Sequence, residues 1–319
     1  MKKIAVLTSG GDAPGMNAAV RAVVRKAIHE EIKVLGVERG FSGLVNGETR
    51  VMGARSVADT IHRGGTVLKT ARSQDFLESS IQDKVADFLR QEKVEGIIVI
   101  GGDGSFKGAR ELEIRGIPAV GIPGTIDNDV PLSDTSIGYD TAINTVTDAI
   151  NRLRDTATSH ERVYVVEVMG KENGKIGLMA GLAGGAESIL VPEVPCDLEE
   201  VCSRILRGVE RGKEHSIIVV AEGAASAIEV GREVQEKTGM ETRVTILGHL
   251  QRGGTPTARD RILASRMGAM AVELLDGGFG GGAICAQGEK LVQYEYEKVF
   301  NSGIKFREDI YNLSKELSI

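Results

Sequence analysis

The residues best placed to do chemistry are aspartates that follow apolar runs. Asp127 and Asp129 stand two apart in Pro123-Gly124-Thr125-Ile126-Asp127-Asn128-Asp129, just past the run Ala119–Ile122. In an extended segment, both carboxylates point to one side and share one site. One can then accept a proton from an attacking sugar hydroxyl, while the other shifts its partner's pKa. An Asx-rich surface turn would produce the same string. Asp103 lies in Ile97-Ile98-Val99-Ile100-Gly101-Gly102-Asp103-Gly104-Ser105, with Gly108 close behind. Glycines let the backbone approach a polyphosphate, and a carboxylate at a strand end can hold Mg²⁺ directly or through water. Ser105 is placed to cap the next helix and to bind phosphate. The segment Thr8-Ser9-Gly10-Gly11-Asp12-Ala13-Pro14-Gly15-Met16-Asn17 also follows a strand and opens a helix, which suits an anion. It meets neither the Walker A nor the dinucleotide spacing, and a plain strand–helix turn would read alike.

The second half supplies cations and hydrogen-bonding groups. Arg162 precedes Val163–Val168, and Met169-Gly170-Lys171 follows it. Glu222 ends the run Ile217–Ala221, Arg243 opens another strand, and His249-Leu250-Gln251-Arg252 lies just beyond Leu247. Guanidinium groups match phosphate bidentately, so Arg162, Arg243 and Arg252 are phosphate candidates. Any one of them alone would pass for a solvated charge, and His249 alone for a structural histidine. Their shared position at strand ends is what points to a site. Arg21 and Arg25 lie i, i+4 on one helix face, where like charges repel unless an anion sits between them. With Arg154, Arg211 and Lys213 they suggest a second anion site.

These residues need a frame of strands and helices. Ile4–Leu7, Val34–Val37, Gly96–Ile100, Ala119–Ile122, Val163–Val168, Ser188–Val191, Ile217–Ala221 and Val244–Leu247 read as buried parallel strands, Val/Ile-rich without alternation. Asn17–Glu30, Thr141–Thr158, Leu198–Arg211 and Ala258–Leu275 carry helical periodicity. Strand–helix alternation means an α/β fold. Ligand sites form at the carboxyl ends of strands in doubly wound sheets, so two clusters of polar loops suggest two sheets facing a cleft.

Composition narrows the function. A net charge of −6 and 4% aromatics, with no Trp, argue against nucleic-acid and membrane binding. The N-terminal apolar run stops at Thr8, too short for a signal-peptide core, which suggests a cytoplasmic protein. Cys196, Cys202 and Cys285 form no CxxC pair and read as reduced, packed thiols. No histidine lies at zinc-ligand spacing from them.

Strung in this order, and completed by Arg154-Asp155-Thr156-Ala157-Thr158-Ser159-His160-Glu161-Arg162 and Gly248-His249-Leu250-Gln251-Arg252-Gly253-Gly254, the motifs resemble the bacterial ATP-dependent 6-phosphofructokinases over essentially the whole chain. The resemblance implies two doubly wound, mostly parallel Rossmann-like domains. Residues 1–138 with 252–304 would bind ATP, and 139–251 with 305–319 would bind fructose 6-phosphate. It further implies that Gly11, Phe41, Arg72, Ser73, Gly102, Asp103, Gly104, Ser105 and Gly108 hold ATP, with Asp103 serving Mg²⁺. Asp127 would be the general base, aided by Asp129, Thr125, Arg72 and Lys171. Met169, Gly170, Lys171 and Glu222 would contact the sugar, and His249 and Arg252 its 6-phosphate. Arg162 and Arg243 would reach that phosphate from a neighbouring subunit of a homotetramer. Arg21, Arg25, Arg154, Gly185, Glu187, Arg211, Lys213, Glu214 and His215 would form an effector site for ADP and phosphoenolpyruvate.

Some positions depart from the family pattern. Lys171 stands where Arg is usual, Phe41 where Tyr is usual, and Ser73 where Cys is frequent. At the effector site, Ala54 and Glu214 replace an arginine and a lysine, though Arg55 is adjacent. Relatives that use pyrophosphate carry Asp where Gly104 sits and Lys where Gly124 sits. An aspartate at 104 would crowd and repel the α-phosphate of ATP, so both glycines point to ATP as donor. A non-catalytic nucleotide sensor is the remaining alternative, and the presence of Asp103, Asp127, Asp129 and Arg72 speaks against it.

Overall fold

A computed structural model describes residues 1–318. The chain divides into two compact units, Met1–Thr141 with Arg252–Ile304, and Ala142–Gln251 with the segment from Lys305 onward. The first unit begins β1 (Lys3–Thr8), α1 (Met16–His29), β2 (Lys33–Val37), α2 (Gly40–Asn46), β3 (Thr49–Met52), α3 (Ser79–Gln91), β4 (Ile97–Gly101), α4 (Asp103–Ile114) and β5 (Ala119–Pro123). The unit boundary falls in the first turn of α5 (Tyr139–His160). The second unit continues with β6 (Val163–Val168), α6 (Lys175–Ala183), β7 (Ser188–Leu190), α7 (Leu198–Glu210), β8 (Ser216–Ala221), α8 (Ala227–Thr238) and β9 (Thr242–Ile246). The chain then returns to the first unit with α9 (Ala258–Asp276), β10 (Gly282–Gln287), β11 (Lys290–Glu295) and α10 (Tyr296–Phe300), and ends in α11 (Glu308–Glu316) of the second.

The first sheet has the order β11-β10-β5-β4-β1-β2-β3, parallel except for its two edge strands. The second, β7-β8-β6-β9, is wholly parallel. This is why the strand sequences run as unbroken apolar stretches: helices cover both faces, and every residue of β4 and β8 is buried. Each fully buried Ile or Val contributes roughly 1.5–3 kcal/mol. Leu7, Val99, Phe106 and Leu112 anchor the first core, and Val165, Ile218 and Val220 the second.

Two expectations need correction. The strand after Arg243 is not buried: β9 is an edge strand, and Val244 and Ile246 are 37% and 53% exposed. Three of its five residues are exposed, whereas β7, at the other edge of the sheet, is buried throughout. The three thiols are not all packed either. Cys202 and Cys285 are buried, with burial pushing the Cys285 thiol up to about 12, but Cys196 is exposed in the loop before α7. Among the described residues, no helix is long and apolar enough to cross a membrane.

Candidate active site

At the carboxyl ends of β1, β4 and β5 the first unit holds a pocket of about 900 Å³. Its lining includes Gly11, Phe41, Arg72, Ser73, Gly102, Asp103, Gly104, Ser105, Gly108, Thr125, Asp127, Asp129 and Arg252. Every nucleotide candidate is therefore gathered in one place, together with both members of the aspartate pair. Six glycines are part of the lining: Gly10, Gly11, Gly102, Gly104, Gly108 and Gly124. A Cβ at Gly104 would meet open space, whereas one at Gly11 would lie 2.1 Å from Nη1 of Arg252.

The geometry differs from the extended segment inferred for Asp127 and Asp129. Asn128 between them has a left-handed φ of 51°, so the segment is a turn. Both Asp127 and Asp129 still line the pocket. Thr125 is 8% exposed, and its Oγ1 accepts the Asp127 N–H at 3.2 Å. Ser105 is not a cap. The helix starts two residues earlier, with Gly102 as N-cap, and the Ser105 hydroxyl instead packs within the span of Gly10 and Gly101. Asp103 stands in the first turn of α4, where the helix dipole favours an anion, and pairs with Lys107 at 2.6 Å.

Phe41 lines the pocket but is largely covered. It is 6% exposed, its ring stacks on Phe76 with centroids 4.5 Å apart, and a Cβ on Gly108 would lie 2.5 Å from it. Phe76, which the sequence did not single out, also lines the pocket, and Ser73 Oγ holds its backbone N–H at 3.2 Å. The loop leading to Arg72 is tied down by Asn17, Thr8 and Thr70. Asn17 donates to Arg63 O (3.0 Å) and Gly64 O (3.1 Å) and accepts from Val67 N (2.7 Å). Thr8 Oγ1 bonds Lys69 O, and Thr70 Oγ1 bonds Gly10 O.

In the second unit, Met169, Gly170 and Lys171 follow β6, and Glu222 follows the adjacent β8. Gly223 N bonds Gly170 O at 3.1 Å and Glu222 N bonds Val168 O at 2.9 Å, which locks the two loops together. His249 lies exposed on a 3₁₀ turn after β9. Gln251, 0% exposed, joins that turn to the β6 loop by donating to Gly248 O and accepting Met169 N. Arg162 and Arg243 both bond one carboxylate, Glu241, the first at 2.7 Å. That contact holds Arg162 above the usual guanidinium range and Glu241 below the usual carboxylate range. Neither Gln251 nor Glu241 was a sequence candidate. Arg252, expected beside the 6-phosphate, lies over Gly11, with Nη1 3.4 Å from Asp12 O.

Of the effector candidates in the second unit, Arg154, Gly185, Glu187 and Lys213 come together. Glu187 accepts from Lys213 at 2.5 Å and lies 3.9 Å from Arg154, whose Nη2 bonds the carbonyls of Gly184 and Gly185. Arg211 and Glu214 are exposed, and His215 is half-buried. In the first unit, burial followed by repulsion from Arg25 lowers the Arg21 pKa, as expected for two cations on one face.

Mg²⁺ typically binds to one or two carboxylates plus substrate phosphates, so Asp103 beside the glycine loop fits such an ion. Among the described residues, no cluster of three or more metal-ligating side chains forms a separate cage.

The phosphofructokinase family model matches residues 3–275. The ATP-dependent 6-phosphofructokinase of Bacillus cytotoxicus is 56% identical over 319 residues, all of both chains. The structure of phosphofructokinase from Saccharomyces cerevisiae superposes with a TM-score of 0.88 at 33% identity, covering 100% of this chain and 48% of the yeast chain. A pyrophosphate-dependent phosphofructokinase from Nitrosospira multiformis shares the fold, with a TM-score of 0.89 at 20% identity over 99% of this chain and 91% of that one. With its glycine-lined pocket, its aspartate turn and a match along its whole length, the chain belongs to the phosphofructokinase family.

Proposed function

We propose that the protein is a glycolytic kinase that transfers the γ-phosphate of ATP to the 1-hydroxyl of fructose 6-phosphate. The observation that carries this is the pocket in which Asp127 shares walls with Gly11, Gly102–Gly104, Asp103 and Arg72. Phosphoryl transfer depends on positioning and on neutralising charge, and the attacking hydroxyl must lose its proton. Asp127 accepts that proton. Thr125 and Arg72 steady the transferring group, and Asp129 tunes its neighbour. Asp103 would hold Mg²⁺, which supplies positive charge to the phosphates. For Asp103 to do so, its exposed pair with Lys107 must open, at a cost within the roughly 0.2–1 kcal/mol of such pairs.

Met169, Gly170, Lys171 and Glu222 would hold the sugar, and His249 with Arg252 its phosphate. Lys171 keeps the charge of the usual arginine but loses its fork. Arg162 and Arg243, held side by side by Glu241, would complete the phosphate site of a neighbour in a homotetramer. Mixing Asp127→Ser subunits with Arg243→Ser subunits tests this: recovered activity supports sharing, and no recovery rejects it. ADP and phosphoenolpyruvate would act at the Arg21/Arg25 and Arg154/Glu187/Lys213 groups. The cytoplasm is the expected compartment. A coupled assay for fructose 1,6-bisphosphate with ATP and, separately, pyrophosphate tests the reading. Turnover with pyrophosphate alone, or with neither donor, rejects it.

A further inference from the structure

The chain leaves β5 at Pro123 and returns beside it at Ile137, whose N–H donates to Pro123 O at 2.9 Å. A lone β-bridge joins Gly124 to the same residue. The excursion between these points carries Thr125, Asp127 and Asp129. Ser136 stands at its neck, 0% exposed. Its hydroxyl donates to Thr125 O at 2.6 Å and lies 3.1 Å from Asn128 Oδ1. The Asn128 amide is oriented by its Nδ2, which donates to Asp134 O at 3.0 Å. One buried hydroxyl therefore grips the turn on both sides of Asp127, at Thr125 and at Asn128. The far side of the excursion is fixed separately. Ala286 N donates to Ser133 Oγ at 2.9 Å, and Asp134 N donates to Ala286 O at 2.8 Å, which ties it to β10.

Asn128 holds a left-handed φ of 51°, a conformation that asparagine adopts more readily than most residues and that its side-chain bonds to Ser136 and Asp134 fix here. The Ser136 hydroxyl is the contact that joins Asn128 to the carbonyl of Thr125. A general base must meet the attacking hydroxyl within hydrogen-bond reach, and small displacements of such a group carry large kinetic penalties.

We infer that Ser136 is a positioning residue for Asp127, its hydroxyl holding the Thr125–Asn128 turn so that the carboxylate meets the sugar hydroxyl. This rests on the reading of Asp127 as general base. A role through the base differs from simple structural support in what it alters. It lowers kcat, leaves the nucleotide KM unchanged, and disappears when the base is already gone.

The experiment measures kcat, both KM values and thermal unfolding for Ser136→Ala, Ser136→Thr, Asp127→Ser and the Asp127→Ser/Ser136→Ala double variant. Ser314→Ala serves as control, because Ser314 is also buried with its hydroxyl on a backbone carbonyl, Tyr311 O at 2.7 Å, but lies on α11. The expected result is a kcat loss of about 10–10²-fold for Ser136→Ala at unchanged ATP KM. Ser136→Thr, which keeps the hydroxyl, should retain most activity, and Ser314→Ala should retain all of it. The double variant should be no slower than Asp127→Ser alone, since coupled groups are not additive. The inference is overturned if Ser136→Ala matches Ser314→Ala in kcat, or if the double variant loses the full product of the two single effects. If Asp127→Ser itself keeps normal kcat, the base assignment fails first, and Ser136 has nothing to position.

Discussion

Replacing Asn17 probes how the loop that ends at Arg72 is held. The side chain is 2% exposed and uses both amide hydrogens and its oxygen, on Arg63 O, Gly64 O and Val67 N. Each such bond contributes a net of about 1 kcal/mol, so Asn17→Ala should destabilise the unit by about 3 kcal/mol. For a unit of this size, that lowers the unfolding midpoint by roughly 6–12 °C. The loop should stay attached, because Thr8 still holds Lys69 O and Thr70 still holds Gly10 O. Its looser seat should misplace Arg72 and reduce kcat by about 10–10²-fold. Asn17→Asp is the sharper test. It preserves size and the acceptor for Val67 N, but sets a carboxylate oxygen against two carbonyls. It should therefore be less stable than Asn17→Ala at neutral pH, despite being isosteric. Thermal unfolding and steady-state kinetics read both effects. An Asn17→Asp protein as stable and active as the parent would refute the claim that this amide anchors the loop.

Three further outcomes are expected. Gly104→Asp should fold normally, since a Cβ there meets open space, yet lose ATP turnover; unchanged kcat/KM for ATP would show that position 104 does not face the nucleotide. On the proposed effector role, phosphoenolpyruvate inhibition at subsaturating fructose 6-phosphate should need less ligand in an Ala54→Arg/Glu214→Lys variant, because the two changes add two cations and remove one anion, a net gain of three charges toward an anionic ligand; equal sensitivity would refute the charge argument. Asp260 is buried, and desolvation raises its pKa despite bonds from Gly138 N, Thr141 N and Thr141 Oγ1. Its contribution to stability is thus full below the ordinary carboxylate range and declines as pH rises through the raised value. The stability advantage of the parent over Asp260→Asn should grow on acidification, and a shrinking advantage would contradict this.

The parts of the site legible in the sequence were those written locally. Glycine clusters directly after Val/Ile runs mark strand ends, so the Gly101–Ser105 and Pro123–Asp129 loops were readable from the sequence. What remained hidden depends on partners distant in sequence. Glu241 matters because β6 and β9 pair side by side, bringing it to Arg162. Gln251 acts on Met169, and Ser136 acts back across its own loop on Thr125. The stacking of Phe41 on Phe76 was hidden because Phe76 sits in a single 3₁₀ turn, Asp75–Leu77, too short to show a periodicity. The β10–β11 hairpin escaped notice because β10 is buried with small residues, Gly282, Ala283, Cys285 and Ala286, rather than with a branched apolar run. The exposure of β9 is likewise not encoded by its local apolar pattern, Val244 and Ile246 being exposed.

The central claim is that Asp127 takes the proton from the sugar hydroxyl while ATP is held in the pocket it lines. Steady-state kinetics of Asp127→Ser with ATP and fructose 6-phosphate, compared with the parent, test it most directly. The account predicts a kcat lower by at least about 10²–10⁴-fold with little change in the KM for ATP, because the nucleotide is held by other residues. A variant with near-normal kcat would contradict it and move the base to another group.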